Sequence, residues 1–305
     1  MNNPPANIQW GVRWPVPRTS VALTALIAAG TFAIGACAPS AESESPETDR
    51  TYEDAADSLV SMWIDSVGGM DRYHEFQSAT YTVETILYDT LSGRVKRSRP
   101  RYVWIKKGPN GEETRVERWE PSGFIEQGFD GVTAWALHDG AVLPDTAKDA
   151  REALYVSRDL FYWIGLPYKL RDPGVILTYR GMVSRPGMEF RADPTQPAVS
   201  PPDNGYHAVG VSFEAGVGEH QDVFMYYFEP GEVFPTEVTY VEEGRTNINR
   251  MLWTESSWAG EFNYPYPARR DFITESGKRT KVLTIYDVTL NSDIPQSVFE
   301  GPTSE

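Results

Sequence analysis

Cysteine is almost absent from this chain of 305 residues: Cys37 is the single one. An intramolecular disulfide is therefore impossible, and so is a metal centre built on thiolates. Histidine is scarce as well. His74, His138, His207 and His220 are scattered and none has the close spacing of a metal-binding helix. His207, His220 and Asp222 would converge only in a tight hairpin, and surface or edge positions are expected for them instead. Asp193, Asp203 and Asn204 lie in a Pro-rich stretch without the spacing of a calcium loop. No Walker loop, G-x-G-x-x-G or G-x-S-x-G occurs, so the turns that cradle phosphates or raise a serine nucleophile are missing. Glu242 and Glu243 are neighbours on a strand and point to opposite faces, which makes them poor acid and base partners. No catalytic residue, metal or cofactor is expected. Positive charge is short too, with 28 Lys and Arg against 43 Asp and Glu and a net charge of −15. That balance excludes a nucleic-acid partner, which draws on clustered cations, and argues against docking on an anionic membrane by charge alone.

Long apolar runs are missing except for Val21–Ile34, VALTALIAAGTFAI, which is too short for a stable membrane span. Arg13 and Arg18 precede it, and Ile34-Gly35-Ala36-Cys37 follows. The arrangement reads as a targeting segment over 1–36. It resembles the lipobox of bacterial lipoprotein signal peptides, which implies diacylglycerol on the Cys37 thiol, cleavage before Cys37 and acylation of the new N-terminus. Two or three acyl chains give durable anchoring. Ala38 in place of Asp after the cysteine favours, by analogy with enterobacterial sorting, the outer membrane of a Gram-negative cell with the protein facing the periplasm. Residues 37–50 are rich in Ser, Glu and Pro and read as a tether that cannot pack a core. A single domain is expected over 51–305.

What is plentiful is aromatic residue, at 12% of the chain, and such side chains favour strands. A helix is expected over 51–67, capped by Thr51, with Ala55, Leu59, Met62, Trp63 and Val67 as its apolar face and Gly68-Gly69 as its end. A short turn should follow at 70–76. Strands are expected from Ser78, over 102–107, 114–120, 123–129 and 133–138. More should cover 175–182, 206–214, 222–229, 236–242, 248–257, 266–274 and 281–291. The close spacing and the turn signals Asp130-Gly131 and Asp139-Gly140 favour antiparallel hairpins. Residues 223–228 are apolar on both faces.

One helical stretch interrupts the strands. Ala147, Ala150, Leu154, Ser157, Phe161 and Ile164 share a face, Thr146 and Asp149 suit its first turn, and Gly165 with Pro167 ends it. A lone helix between two runs of strands must lie on the sheet or plug it. An apolar concave sheet covered by this helix is the expectation.

Four motifs carry a resemblance. They are Gly68-Gly69 with Tyr73; Leu160-Phe161-Tyr162-Trp163 leading to Pro167-Tyr168-Lys169-Leu170-Arg171-Asp172-Pro173-Gly174-Val175; Tyr264-Pro265-Tyr266-Pro267-Ala268-Arg269-Arg270; and Asp287 to Pro295 with Val298, Phe299 and Pro302. Together they resemble bacterial lipoproteins of the Lol-type fold over roughly 54–302. The resemblance implies an α+β, mainly β protein. Its single antiparallel half-barrel sheet of about 10–11 strands would carry helices across the concave face. The Lol carrier and receptor use that space for lipoprotein acyl chains. No stretch here matches the membrane-inserting loop of the receptor.

The function expected from these features is non-enzymatic binding or transfer of a hydrophobic molecule, a lipid or an acyl chain, with the helix at 146–164 as a gate. Candidate cavity walls are Tyr102, Trp104, Trp119, Trp135, Phe161, Trp163, Tyr168, Tyr226 and Trp253, each of which could equally fill a core. The alternatives are an envelope assembly protein that uses the half-barrel as a scaffold, and, last, a hydrolase whose site is not visible in sequence. The sequence names no protein partner.

Overall fold

Thirteen antiparallel strands form one sheet in the computed structural model, which describes residues 47–184, 205–215, 221–261, 263–274 and 276–302. All of them belong to one compact unit, Ser45–Glu305. The chain opens with α1 (Glu47–Ser66) and α2 (Gly69–Glu75). The first run of strands is β1 (Ser78–Tyr88), β2 (Val95–Gly108), β3 (Gly111–Glu120), β4 (Gly123–Phe129), β5 (Ala134–His138) and β6 (Ala141–Val142). Then comes α3 (Lys148–Ile164), and a 3-10 turn at Tyr168–Arg171. The second run is β7 (Val175–Val183), β8 (Tyr206–Phe213), β9 (Val223–Phe228), β10 (Pro235–Val241), β11 (Asn249–Ala259), β12 (Tyr264–Ile273) and β13 (Arg279–Leu290).

The strand order is β6-β5-β4-β3-β2-β1-β13-β12-β11-β10-β9-β8-β7. Each run is a meander of hairpins, and the two are joined in the middle where β1 pairs with β13, Val83 opposite Ile285 and Thr85 opposite Leu283. The edges are therefore β6 and β7, consecutive in the chain. The segment between them carries α3, which must cross the sheet from one edge toward the other. Its 17 residues span about 26 Å. Yet α3 touches β5, while its Tyr162 and Trp163 rings meet Phe224 on β9 at 5.7 and 6.2 Å. Nine strand steps separate β5 from β9, about 43 Å on a flat sheet. The sheet must curl around the helix, which makes it an open half-barrel.

The strand count exceeds the expected one because β6, two residues long, is too short to register in the sequence, and β2 is longer than expected because it runs straight through Pro100. Proline normally marks the end of a strand. Here the ladder with β3 ends at Tyr102, so Pro100 lies where β2 is paired only with β1, opposite Glu84. That one-sided pairing tolerates a missing N–H.

Both helices differ from expectation in phase or start. α1 begins four residues before Thr51, so Thr51 is inside the helix and does not cap it. Its buried face is Ala56, Val60, Trp63 and Ile64, continued by Val67 just past its end, and Met62 is exposed. The core selected Ile64 and Val60 over Met62 and Leu59 because Trp63 docks among Tyr226, Phe228 and Trp253, with ring centres 5.8, 6.0 and 5.5 Å away. The turn expected at 70–76 is mostly the short helix α2. α3 starts from Ala147 without a side-chain cap, so Thr146 does not cap it. It buries Ala153, Ser157, Leu160, Phe161, Trp163 and Ile164, and Leu154 is only half-buried. Gly165 ends it, and a cis Leu166–Pro167 bond leads out.

Candidate functional site

A cavity of about 1080 Å³ lies between α3 and the sheet. α3 contributes Tyr155, Val156, Asp159, Tyr162 and Trp163; β8, β9 and β10 contribute Phe213, Phe224 and Tyr240; β1, β2 and β13 contribute Thr85, Arg99, Arg101, Lys281 and Leu283. The wall is thus two-natured. Its aromatic side joins Tyr162, Trp163 and Phe224 to Tyr240, whose ring stacks on Phe224 at 5.6 Å. Tyr162 and Tyr226 share a hydrogen bond of 2.9 Å between their hydroxyls, and burial raises both phenol pKa values.

The floor is charged, which departs from the apolar concave face expected from sequence. Strand pairing explains how. Arg101 is opposite Val83, and Arg99 opposite Thr85. Lys281 is opposite Leu87, and Arg270 opposite Leu283. Side chains alternate along a strand, so these cations share the face of Val83, Ile285 and Leu283 that α3 covers. Arg270 is 2% exposed. Its guanidinium sits 4.3 Å from the centre of the Trp163 ring, and its Nε and Nη1 have no hydrogen-bond partner. Burial lowers the pKa of Arg101, brings Arg270 down to about 10 and Lys281 down to about 8. Asp159 is the leading opposite charge for all three, and its Oδ1 accepts a 2.8 Å hydrogen bond from Trp163 Nε1.

The acids toward β3 are already engaged. Glu120 binds Arg97 at 2.5 Å, Arg99 at 3.1 Å and Arg118 at 3.4 Å. Asp149 pairs with Arg118, a tertiary contact in place of the capping role expected of it. Lys169, just beyond α3, bonds Glu112 at 2.5 Å and also Asp172. Burial opposes its charge, but Glu112, Tyr73 and Asp172 outweigh burial and raise its pKa.

The sequence held a signal for the charged floor. In Arg97-Ser98-Arg99-Pro100-Arg101-Tyr102-Val103-Trp104-Ile105 the arginines fall on the same alternate positions as Val103 and Ile105. Lys281, Leu283 and Ile285 repeat the pattern. A strand whose buried face turns from aliphatic to cationic marks a polar end of a cavity.

The nine aromatic positions scatter. Trp163 lines the cavity. Phe161, Tyr168 and Tyr226 are buried in the main core, with the Tyr168 hydroxyl donating to Val67 O at 3.1 Å. Trp253 packs against that core and donates to Ser256 Oγ at 2.8 Å. Trp135 is buried elsewhere and donates to Phe299 O at 2.8 Å. Trp104 is half-buried, and Tyr102 and Trp119 are exposed at 49% and 71%. His207 Nδ1 meets the Tyr179 hydroxyl at 2.7 Å and His138 Nε2 meets Ser122 O at 2.8 Å. Cys37, Asp193, Asp203, Asn204 and His220 lie outside the described residues. Among the described residues no group of His, Cys, Asp and Glu is placed to hold a metal ion, and no helix is long and apolar enough to cross a membrane.

The lysines give a pH dependence. Burial lowers both Lys281 and Lys107 to about 8 from 10.5. Below about pH 8 both lysines are protonated folded or unfolded, and the folded state carries the full cost of burying them. From about pH 8 upward the folded state sheds these protons before the unfolded chain does, so stability rises. Above about pH 10 the buried tyrosines reverse the trend, because they ionise first in the unfolded chain. The thermal midpoint should rise between about pH 8 and about pH 9.5, and rise less in Lys281→Met. An identical slope in the variant would remove Lys281 from the account.

No family model matches the sequence, and no curated protein matches it. Solved structures do align with it. A DUF1329 family protein from Desulfovibrio piger is 9% identical at a TM-score of 0.48, over 80% of this chain and 97% of that one. A LolA superfamily protein from Nitrosomonas europaea is 11% identical at a TM-score of 0.46, over 81% of this chain and 97% of that one. Likeness at this level names neither a family nor an activity for the chain, and the half-barrel rests on its own strand order.

Proposed function

We propose that this protein is a lipid-anchored, periplasm-facing envelope protein that binds a hydrophobic ligand, a lipid or an acyl chain, without catalysing a reaction on it. The observation that carries the reading is the cavity between α3 and the sheet, about 1080 Å³ and flanked by Tyr162, Trp163 and Phe224. Ligand sites are concave, largely pre-formed and mostly apolar with a few placed polar groups. The anchoring part rests on the lipobox-like run before Cys37, with 1–36 removed, a tether from 37 that ends where α1 begins at Glu47 rather than at residue 50, and the rest of the chain as the binding domain. Burial of the ligand's apolar surface supplies the driving force, and displacement of α3 from the sheet opens the way in.

Native mass spectrometry of the full chain, purified without added lipid and followed by organic extraction, tests the reading. A co-purifying lipid of defined mass is the expected result. A clean protein mass, with no uptake of a fluorescent fatty acid, would sink it. That outcome would favour an assembly protein built on the outer face, where the exposed Tyr102 and Tyr286 flank Thr82 on neighbouring strands.

A further inference from the structure

Burying cations without partners is unfavourable, and a fold retains such groups when something else gains by it. Arg101 and Lys281 line the cavity, and among the described residues neither side chain has a hydrogen bond or an ion pair. Lys281 Nζ lies 3.7 Å over the Phe272 ring, a contact that favours its charge but satisfies none of its N–H donors. Arg270 stands behind them with two unpartnered nitrogens. The three come from β2, β12 and β13, on one face of the sheet. The lining as a whole is not positive. Glu120, Asp149, Glu112 and Asp172 also belong to it, but arginines and Lys169 engage them. Lys148 pairs with Glu152, and Arg245 with Glu242. Asp222 accepts the backbone N–H of Glu243 at 2.8 Å. Around Arg101, Arg270 and Lys281 that leaves Asp159 as the principal counter-charge.

We propose that the cavity takes an anionic amphiphile, its carboxylate or phosphate head held by Arg101 and Lys281 with Arg270 behind them, and its apolar chain along Tyr162, Trp163 and Phe224. This deepens the hydrophobic-ligand reading and rests on it. A charged head would supply the acceptor oxygens these donors lack, at half-buried Arg101 and Lys281, where such bonds are stronger than in open water. A neutral lipid would leave the cations unpartnered.

The test uses the full chain with Cys37→Ser, which removes the thiol that would carry the anchor. Binding is read from quenching of tryptophan fluorescence by dibromostearic acid and by its methyl ester, Trp163 being part of the wall. The acid should bind about tenfold more tightly than the ester or better. Arg101→Met and Lys281→Met, each checked for folding by circular dichroism, should bring the acid down toward the ester. Dodecanoate and dodecyl phosphate as competitors then separate the two heads, since the better competitor identifies the class. Equal binding of acid and ester, or a preference for the acid that survives in both variants, would overturn the charged-head proposal while leaving the hydrophobic-ligand reading intact. No binding of either probe would overturn both.

Discussion

Phe161→Ala lowers the free energy of unfolding by about 3–5 kcal/mol. The phenyl group is fully buried on the sheet side of α3, edge-on to Phe76 with ring centres 6.1 Å apart. Phe76 in turn stacks on Tyr264 at 4.6 Å, and Tyr264 meets Tyr168 at 5.7 Å. These rings tie the end of α3, the chain after α2 and β12 into one cluster. Removing the ring leaves a void that such a rigid neighbourhood cannot close. A urea titration should show a lower midpoint with an unchanged slope. Trp163→Phe should behave differently. It keeps most of the bulk at the cavity wall but loses the bond to Asp159, so ligand retention falls more than stability. If Phe161→Ala left the midpoint in place and abolished ligand uptake instead, Phe161 would be a gate residue.

The contrast between these two neighbours shows what a single sequence can and cannot say. Both sit in the same aromatic run, though only Phe161 falls on the apolar stripe read from the sequence. Which one meets the core and which one meets a cavity depends on the rotation of α3 against a sheet assembled from distant strands. Local signals were readable. Asp139-Gly140 marks the β5–β6 turn, and both residues have the positive φ that such a turn demands, 48° and 77°. The alternation in Ser78–Tyr88 placed β1, and a lone helix between two runs of strands implied that it covers the sheet. Non-local facts were hidden. The pairing of β1 with β13 joins residues some two hundred positions apart and has no local signature. α2 is seven residues long, too short for a periodic pattern to register. The cations of the floor were legible only as alternation within β2 and β13, because the convergence of Arg101, Lys281 and Arg270 needs the register of four strands.

Asp159→Asn should be the most damaging change among the polar residues of the cavity. The amide is nearly the same size, and its carbonyl can still accept the Trp163 indole N–H that now reaches Oδ1. What the substitution removes is charge. Asp159 is the leading opposite charge for Arg101, Arg270 and Lys281, and the two arginines each disfavour the protonated state of Lys281. Breaking a buried charge pair by deleting one partner costs about 3–5 kcal/mol. No ion pair forms here between Asp159 and these cations, so the loss should fall below that range. The diagnostic step is a double-mutant cycle. Arg270→Met in the Asp159→Asn background relieves the uncompensated repulsion, so the pair of changes should cost less than the sum of the two singles. An anionic amphiphile should work in the same direction: dodecanoate raises the thermal midpoint of Asp159→Asn by more than that of the parent chain, because its head replaces the missing negative charge. Strict additivity in the cycle, with no extra gain from dodecanoate, would mean that Asp159 acts through its hydrogen bond to Trp163 and that the cations are independent of it.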